Sequence, residues 1–594
     1  MKRQEQKTEN TWNLQDLYEN GELFEQDVQK LRRQMETFRK MQGSAVQTAE
    51  NLLEALRLNE QMEMVFEKLY VYANQKYHED TADAASQRLS GQMQVMAAEV
   101  SQAEAWLEPE VLSLPKERLE EYFKEAPELE EYRRLIARIT RQRAHVLDAQ
   151  TEELLAKASE IGAAPSNIFS MFNNADIRFP DAKDSEGKTH TLTQGSFIAL
   201  LKSPDRTLRR SAFESLYGVY GQYSNTLAAV YYANAKQADF FAKERRYAGA
   251  MEEALYLNEI PVEVYENLIA AVHKRMPAMY RYVALRKKLL GLEELHMYDI
   301  YVPMVENAQK QYTFDEAKKI VKKALAPLGE DYLALLQKGF DERWIDVYEN
   351  EGKRTGAYSW GAYGTHPYVL LNFQGTLDDV FTLAHEMGHS LHTWYSNSTQ
   401  AYRYAQYRIF VAEVASICNE SLLIHYLLEQ SESAAQKKYL INHFLDQFKG
   451  TVYRQTMFAE FEMKTHRDMV QQGKVLTADM LCGTYLELNR EYFGEEMVSD
   501  GEIRYEWARI PHFYTPFYVY QYATGFAAAI AISSKILAGE DGIVEKYKEF
   551  LSSGSAKDPI SLLKICGVDM SAPDAVESAL DVFEEYLDKL EAMV

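Results

Sequence analysis

The sequence predicts a mainly α-helical protein with a small β element, and three observations carry that prediction. Breakers are scarce, with 15 prolines and 28 glycines in 594 residues. Apolar residues recur at spacings of three and four through long Glu-, Lys-, Leu- and Ala-rich stretches, the period of a helix with one buried face. Only two patches interrupt that period.

Along the chain, residues 20–145 read as consecutive amphipathic helices, of which SAVQTAENLLEALRLNEQMEMVFEKLYVYANQKYHED is typical. Helices continue over 151–178. FNNADIRFPDAKDSEGKTHTLTQGSFIALL then alternates around Asp-Ser-Glu-Gly, a hairpin pattern. Helices resume near Ser203 and Pro204, which suit a helix start. The second patch, about 342–374, spaces glycines and aromatics as turns do and contains a strand candidate, PYVLLNF at 367–373. From there a helical pattern runs to the end. A boundary near 185–205 divides an N-terminal helical part, 1–200, from a second part, 201–594.

A chain of this length can bury a large core, and 46% hydrophobic with 26% charged residues is an ordinary globular balance. The net charge of −24 argues against a nucleic-acid partner, because phosphate binding needs a basic surface. Cys418, Cys482 and Cys566 lie far apart and suggest neither a disulfide framework nor a Cys-based metal cluster. A reducing, cytoplasmic setting is expected. The opening MKRQEQKTENTWNLQDLYENGE is charged throughout, unlike a signal peptide. With no run of about 18 apolar residues, no membrane span is expected.

The chemistry concentrates in FTLAHEMGHSLH, residues 381–392. His385, Glu386 and His389 form HExxH. On a helix, His385 and His389 share a face and can both reach one zinc ion. Glu386 sits about 100° round the helix, able to act on a water without binding the ion. Phe381, Leu383, Ala384, Met387 and Leu391 surround the motif, so its polar groups need partners. A metzincin would continue HExxHxxGxxH, but His392 and Tyr395 hold the last two positions. His392 would be strained as a ligand and is taken as a polar or substrate-contacting group. The third ligand is sought in RIFVAEVASICNESLLIHYLLEQ, 408–430, where Glu413 and Glu420 lie seven apart in an apolar run. Glu413 is the expected ligand, and Glu420 the carboxylate that orients a ligand imidazole.

HEMGHSLH, with FVAEVASICNE placing Glu413 28 residues after His385, resembles the thimet-oligopeptidase-like zinc metallopeptidases, whose pattern is HExGHxxH and then Glu, Ser and Glu at the spacing of Glu413, Ser416 and Glu420. The oligoendopeptidase F branch is most similar, through NTWNLQDLY, AAPSNIFSMFNNADIRFP and IPHFYTPFYVYQYATG. The resemblance covers most of the chain, with residues 1–200 matching that branch's N-terminal domain. It implies a multi-helix ellipsoid split by a deep substrate channel with one zinc on its floor. It also implies endopeptidase action on short unstructured peptides. Tyr368, Val369 and Leu370 would then form an edge strand pairing with substrate backbone. In the family a His and two Tyr stabilise the oxyanion. His512 fits, and Tyr522 and Tyr514 are the nearest matches, although the commoner GYxAxYYxY spacing is not reproduced. Tyr518, four before Tyr522, is expected on the same helix face as a substrate contact. The rivals are a helical HExxH metallocarboxypeptidase, an inactive peptide-binding protein, and a thiol enzyme using Cys418.

Overall fold

The helices begin where the sequence supplies caps. Asn20, Thr48 and Asp83 precede the helices Gly21–Met41, Ala49–Glu79 and Ala84–Glu104, and each side chain accepts a backbone N–H of the first turn. The apolar stripe Phe24, Val28, Leu31, Met35 and Phe38 is buried in one cluster with Leu52, Leu53 and Leu56 of the next helix. The structure, a computed structural model, describes residues 2–305 and 310–594. Its secondary structure is mainly α-helical throughout, as expected.

The chain forms two compact units. One comprises Met1–Ala144, Gln309–Leu423 and Ser533–Cys566, and the other His145–Ala308, Ile424–Ile532 and Gly567–Val594. Each draws on three separate stretches, so neither follows the expected division at about residue 200.

In the first unit, a core drawn from residues 12–139 also takes in Tyr368, Leu370 and Ala362. These last belong to the second interruption, which forms a three-stranded sheet in the order Ile345–Asp346, Tyr368–Leu370, Tyr358–Trp360. The first pair is parallel and the second antiparallel. Tyr368–Leu370 is therefore the central strand, and the expectation of an edge strand is corrected. Its three side chains are all 0% exposed, and both of its backbone edges are taken by neighbours. A continuous apolar run such as YVLL marks a strand covered on both faces, and PYVLLNF is of that kind. The edges are the buried strand Ile345–Asp346 and the half-buried strand Tyr358–Trp360.

In the second unit the expected hairpin is present as Ala182–Lys183 against Thr189–His190, with Gly187 at φ +83° in its turn. A short helix, Gln194–Leu201, capped by Thr193, already follows the hairpin, and the helix Arg206–Gln222 is capped by Asp205, just after the expected Ser203 and Pro204. The helical pattern does not run unbroken to the C-terminus. Met497–Val498 pairs in parallel with Leu295–His296, and Gly501–Arg509 and Pro511–Tyr514 are 3₁₀ turns. An α-helix resumes only at Tyr520–Leu537. Pro516 and Phe517, the latter at φ +55°, separate the two, so Tyr518 precedes the helix instead of sharing a face within it. One helix, Ile409–Gln430, is long and apolar enough by length and composition to cross a bilayer. Most of it is buried inside the protein, and it carries Glu413 and Glu420.

Candidate metal centre and active site

The HExxH helix, Leu377–Thr399, starts at a reciprocal cap in which Thr376 accepts the Asp379 N–H and Asp379 accepts the Thr376 N–H. Phe381, Leu383, Ala384, Met387 and Leu391 are all buried, as their place around the motif suggests. The helix packs against the N-terminal part of Ile409–Gln430, and Gly388 decides how closely. A Cβ on Gly388 would lie 2.6 Å from Ser416 Cα and 2.8 Å from the Ala415 carbonyl oxygen. Asn419 fixes the crossing. Its Nδ2 donates to the Ala384 carbonyl at 3.0 Å, and its Oδ1 accepts from the buried Tyr332 hydroxyl at 3.1 Å.

At this crossing the expected ligands meet. His385 Nε2 and His389 Nε2 are 3.2 Å apart, and Glu413 Oε2 lies 3.4 Å from the first and 3.5 Å from the second. A tetrahedron with bonds of about 2.0–2.1 Å has edges of about 3.3–3.4 Å. The three donor atoms thus already stand at the corners of one face of such a tetrahedron, and the residues fit a zinc ion. Glu420 Oε1 accepts from His385 Nδ1 at 2.5 Å, which turns Nε2 toward the other donors. Ser416 Oγ lies 3.2 Å from Glu413 Oε2 and steadies that carboxylate.

The electrostatics follow from these contacts. Burial opposes charge on His385, but the Glu420 hydrogen bond, with Glu386 and Glu413 nearby, outweighs it and lifts its pKa to about 9. Burial would raise Glu413, yet the His389 hydrogen bond and the two imidazoles hold it down at about 2. Glu386 is buried, and burial raises its pKa against the pull of both histidines. Its Oε2 finds no hydrogen-bond partner among the described residues. Glu386 is thus set apart from the three-atom cluster, as a base needs to be.

A second His/Glu group, His273 with Glu460 and Glu491, shows what a cluster without that arrangement does. His273 turns Nε2 to Glu460 at 2.6 Å and Nδ1 to Glu491 at 3.3 Å, while Lys464 and the Tyr492 hydroxyl also hold Glu460. This is a histidine held between two carboxylates, and the Glu460 hydrogen bond raises its pKa.

The remaining expected residues divide. His512 Nε2 lies 3.1 Å from the Tyr522 hydroxyl, and Tyr518 packs against both rings. Burial, then Arg454, lowers the His512 pKa, which favours the neutral ring. Tyr514 is not brought to this group. Its ring stacks on Phe169 with 4.1 Å between centroids. His392 is not a substrate contact either. It is buried and stacked on Tyr407 at 3.7 Å, and burial lowers its pKa to about 3. Cys418 is fully buried with its pKa pushed up to about 12, which removes the thiol-enzyme rival.

Sequence reasoning overlooked the roles of Gly388, Asn419 and Tyr358–Trp360. A glycine inside a helix costs about 1 kcal/mol against alanine, so its presence signals close packing. The strand is tied to the motif helix through Ser359 Oγ, 2.8 Å from Ser390 Oγ.

Residues 199–582 match the model of peptidase family M3, and residues 110–179 match that of oligopeptidase F. The chain is 45% identical over its whole length to oligopeptidase PepF of Bacillus subtilis, covering 88% of that protein. It is 40% identical to group B oligopeptidase PepB of Streptococcus agalactiae, covering 98% of this chain and 97% of the other. The crystal structure of oligoendopeptidase-F from Enterococcus faecium superposes with a TM-score of 0.76 at 38% identity, covering 96% of this chain and 99% of that one. With its HExxH helix, its Glu413 and the full-length match to these enzymes, the chain belongs to peptidase family M3, in the oligopeptidase F branch.

Proposed function

We propose that the protein is a zinc-dependent endopeptidase that hydrolyses internal bonds of short, unstructured peptides in the cytoplasm. The observation that carries this is the triangle of His385, His389 and Glu413 donor atoms, together with a Glu386 oxygen that has no hydrogen-bond partner among the described residues. When bound there, zinc supplies Lewis acidity to the scissile carbonyl and to the attacking water. Glu386 takes the water's proton at Oε2 and passes it to the leaving amine, a transfer helped by its raised pKa. Glu420 holds the His385 ring in its donor orientation. His512 and Tyr522 are assigned as hydrogen-bond donors to the oxyanion. Substrate backbone pairs with Tyr358–Trp360, the half-buried one of the sheet's two edge strands. The buried free cysteines suit a reducing compartment.

The test is a peptide blocked at both ends, digested with and without a chelator and read by mass spectrometry. Internal cleavage that the chelator abolishes is expected. Removal of C-terminal residues from unblocked peptides only would instead establish the carboxypeptidase rival.

Metal loading should also be proton-linked. At pH 7 His385, with its pKa near 9, is protonated, and coordination requires Nε2 to be free. Loading should therefore release about one proton per ion, and apparent affinity should rise by up to about tenfold per pH unit between roughly pH 7 and 9. The sign is opposite for the metal-free fold. A histidine raised above its unfolded value stabilises fully below that value, and the contribution is lost as pH rises through about 9. Calorimetry in buffers of different ionisation enthalpy measures the released proton, and a buffer-independent heat would contradict the assignment.

A further inference from the structure

The His512–Tyr522 pair is joined by a turn whose conformation is costly. Phe517 has φ +55°, a backbone region that a bulky residue adopts only when its surroundings impose it. Two buried side chains grip this turn from two helices of the same unit. Asn234, on Ser224–Glu244, donates from Nδ2 to the Phe513 carbonyl at 3.3 Å. Glu462, on Arg454–Gln472, accepts the Phe517 N–H at Oε1, 2.8 Å away.

Both ends are buried. Phe513 is enclosed by Tyr231, Phe458 and Phe461. Phe517 meets Tyr265 and His466 edge-on, yet it also borders a cavity of about 330 Å³ lined by Gly249, Met251, Val262, Met463 and His466. The cavity is space into which the strained turn can shift if its hydrogen bonds are lost. Glu462 is also an expensive choice for this position. It is 1% exposed, and its second oxygen has no partner among the described residues. A methionine there would be cheaper to bury.

We infer that Glu462 and Asn234 are positioning residues that clamp the Phe513–Phe517 turn and so set His512 and Tyr522 for the reaction. The inference rests on the oxyanion role proposed for that pair. Glu462→Met should fold, retain metal and lower kcat by up to about 10²-fold, the usual cost of a misplacement of about 1 Å, with KM changed less than about twofold. Glu462→Gln keeps an oxygen that can accept the Phe517 N–H and should restore most of the rate.

The deciding measurement is a double-mutant cycle with Tyr522→Phe. Because Glu462 acts through the pair, Glu462→Met should cost little further once Tyr522 has lost its hydroxyl. A Tyr522→Phe enzyme with wild-type kcat would overturn the oxyanion reading itself. A slow Tyr522→Phe enzyme whose loss multiplies fully with that of Glu462→Met would overturn the clamp and leave that reading standing. If Glu462→Met is too unstable to assay, Asn234→Leu carries the same expectation at the other end of the turn. Wild-type turnover in that variant would overturn the clamp as well.

Discussion

Glu386→Gln is expected to give a folded, metal-loaded protein whose turnover falls by at least about 10²–10⁴-fold. Glutamine matches glutamate in size but cannot take a proton. The three donor atoms belong to other residues, so metal content should equal that of the wild type. Burial already raises the Glu386 pKa, which means that the charged carboxylate is disfavoured where it sits. A neutral side chain there should leave thermal stability unchanged or slightly higher. Peptide affinity should change little, because the backbone pairing proposed for the substrate does not involve this carboxylate. The measurements are metal analysis, thermal unfolding and steady-state kinetics on one preparation. Near wild-type turnover would refute the mechanism, and a metal-free variant would make Glu386 a ligand.

Gly388→Ala should damage the site from outside the ligand set. By helix propensity alone alanine would stabilise this position by about 1 kcal/mol. The added Cβ, however, would meet Ser416 Cα at 2.6 Å and the Ala415 oxygen at 2.8 Å, both backbone atoms that cannot swing aside. The helices must part, at a typical cost of about 1–3 kcal/mol. Because Glu413 rides on the displaced helix, its oxygen leaves the 3.4–3.5 Å it now keeps from the histidines. Loss of both stability and zinc affinity is expected, measured by thermal unfolding and metal titration. A stabilised variant with normal affinity would show that propensity outweighs the contact.

The cluster of His385, His389 and Glu413 was legible because its chemistry is tied to helical spacing. His385 and His389 must share a face, and Glu413 and Glu420 stood out as acids in an apolar run. Helix against helix was the simplest way to unite them. What failed was legibility away from regular helix. YVLL reads as a strand, but periodicity does not say which neighbours take its edges, and Ile345–Asp346 and Tyr358–Trp360 took one each. Tyr514, Tyr518 and Tyr522 are equally spaced in the sequence. The turn at Pro516 and Phe517 keeps two of them near His512 and leaves Tyr514 stacked on Phe169. His392 repeats the motif's chemistry one turn on, yet it serves the packing of Tyr407.

The core of the first unit bears on how this polypeptide could be cut or shortened. Tyr368 and Leu370 lie in the middle of the sheet beside the HExxH helix, and what covers them is built from residues 12–139. A gene truncated to begin near residue 199 would keep His385, His389 and Glu413. It would also turn two fully buried side chains out to water and remove most of the apolar mass around them. The segment that the peptidase-family model matches is therefore not expected to fold on its own, because the N-terminal helices supply the cover of its central strand.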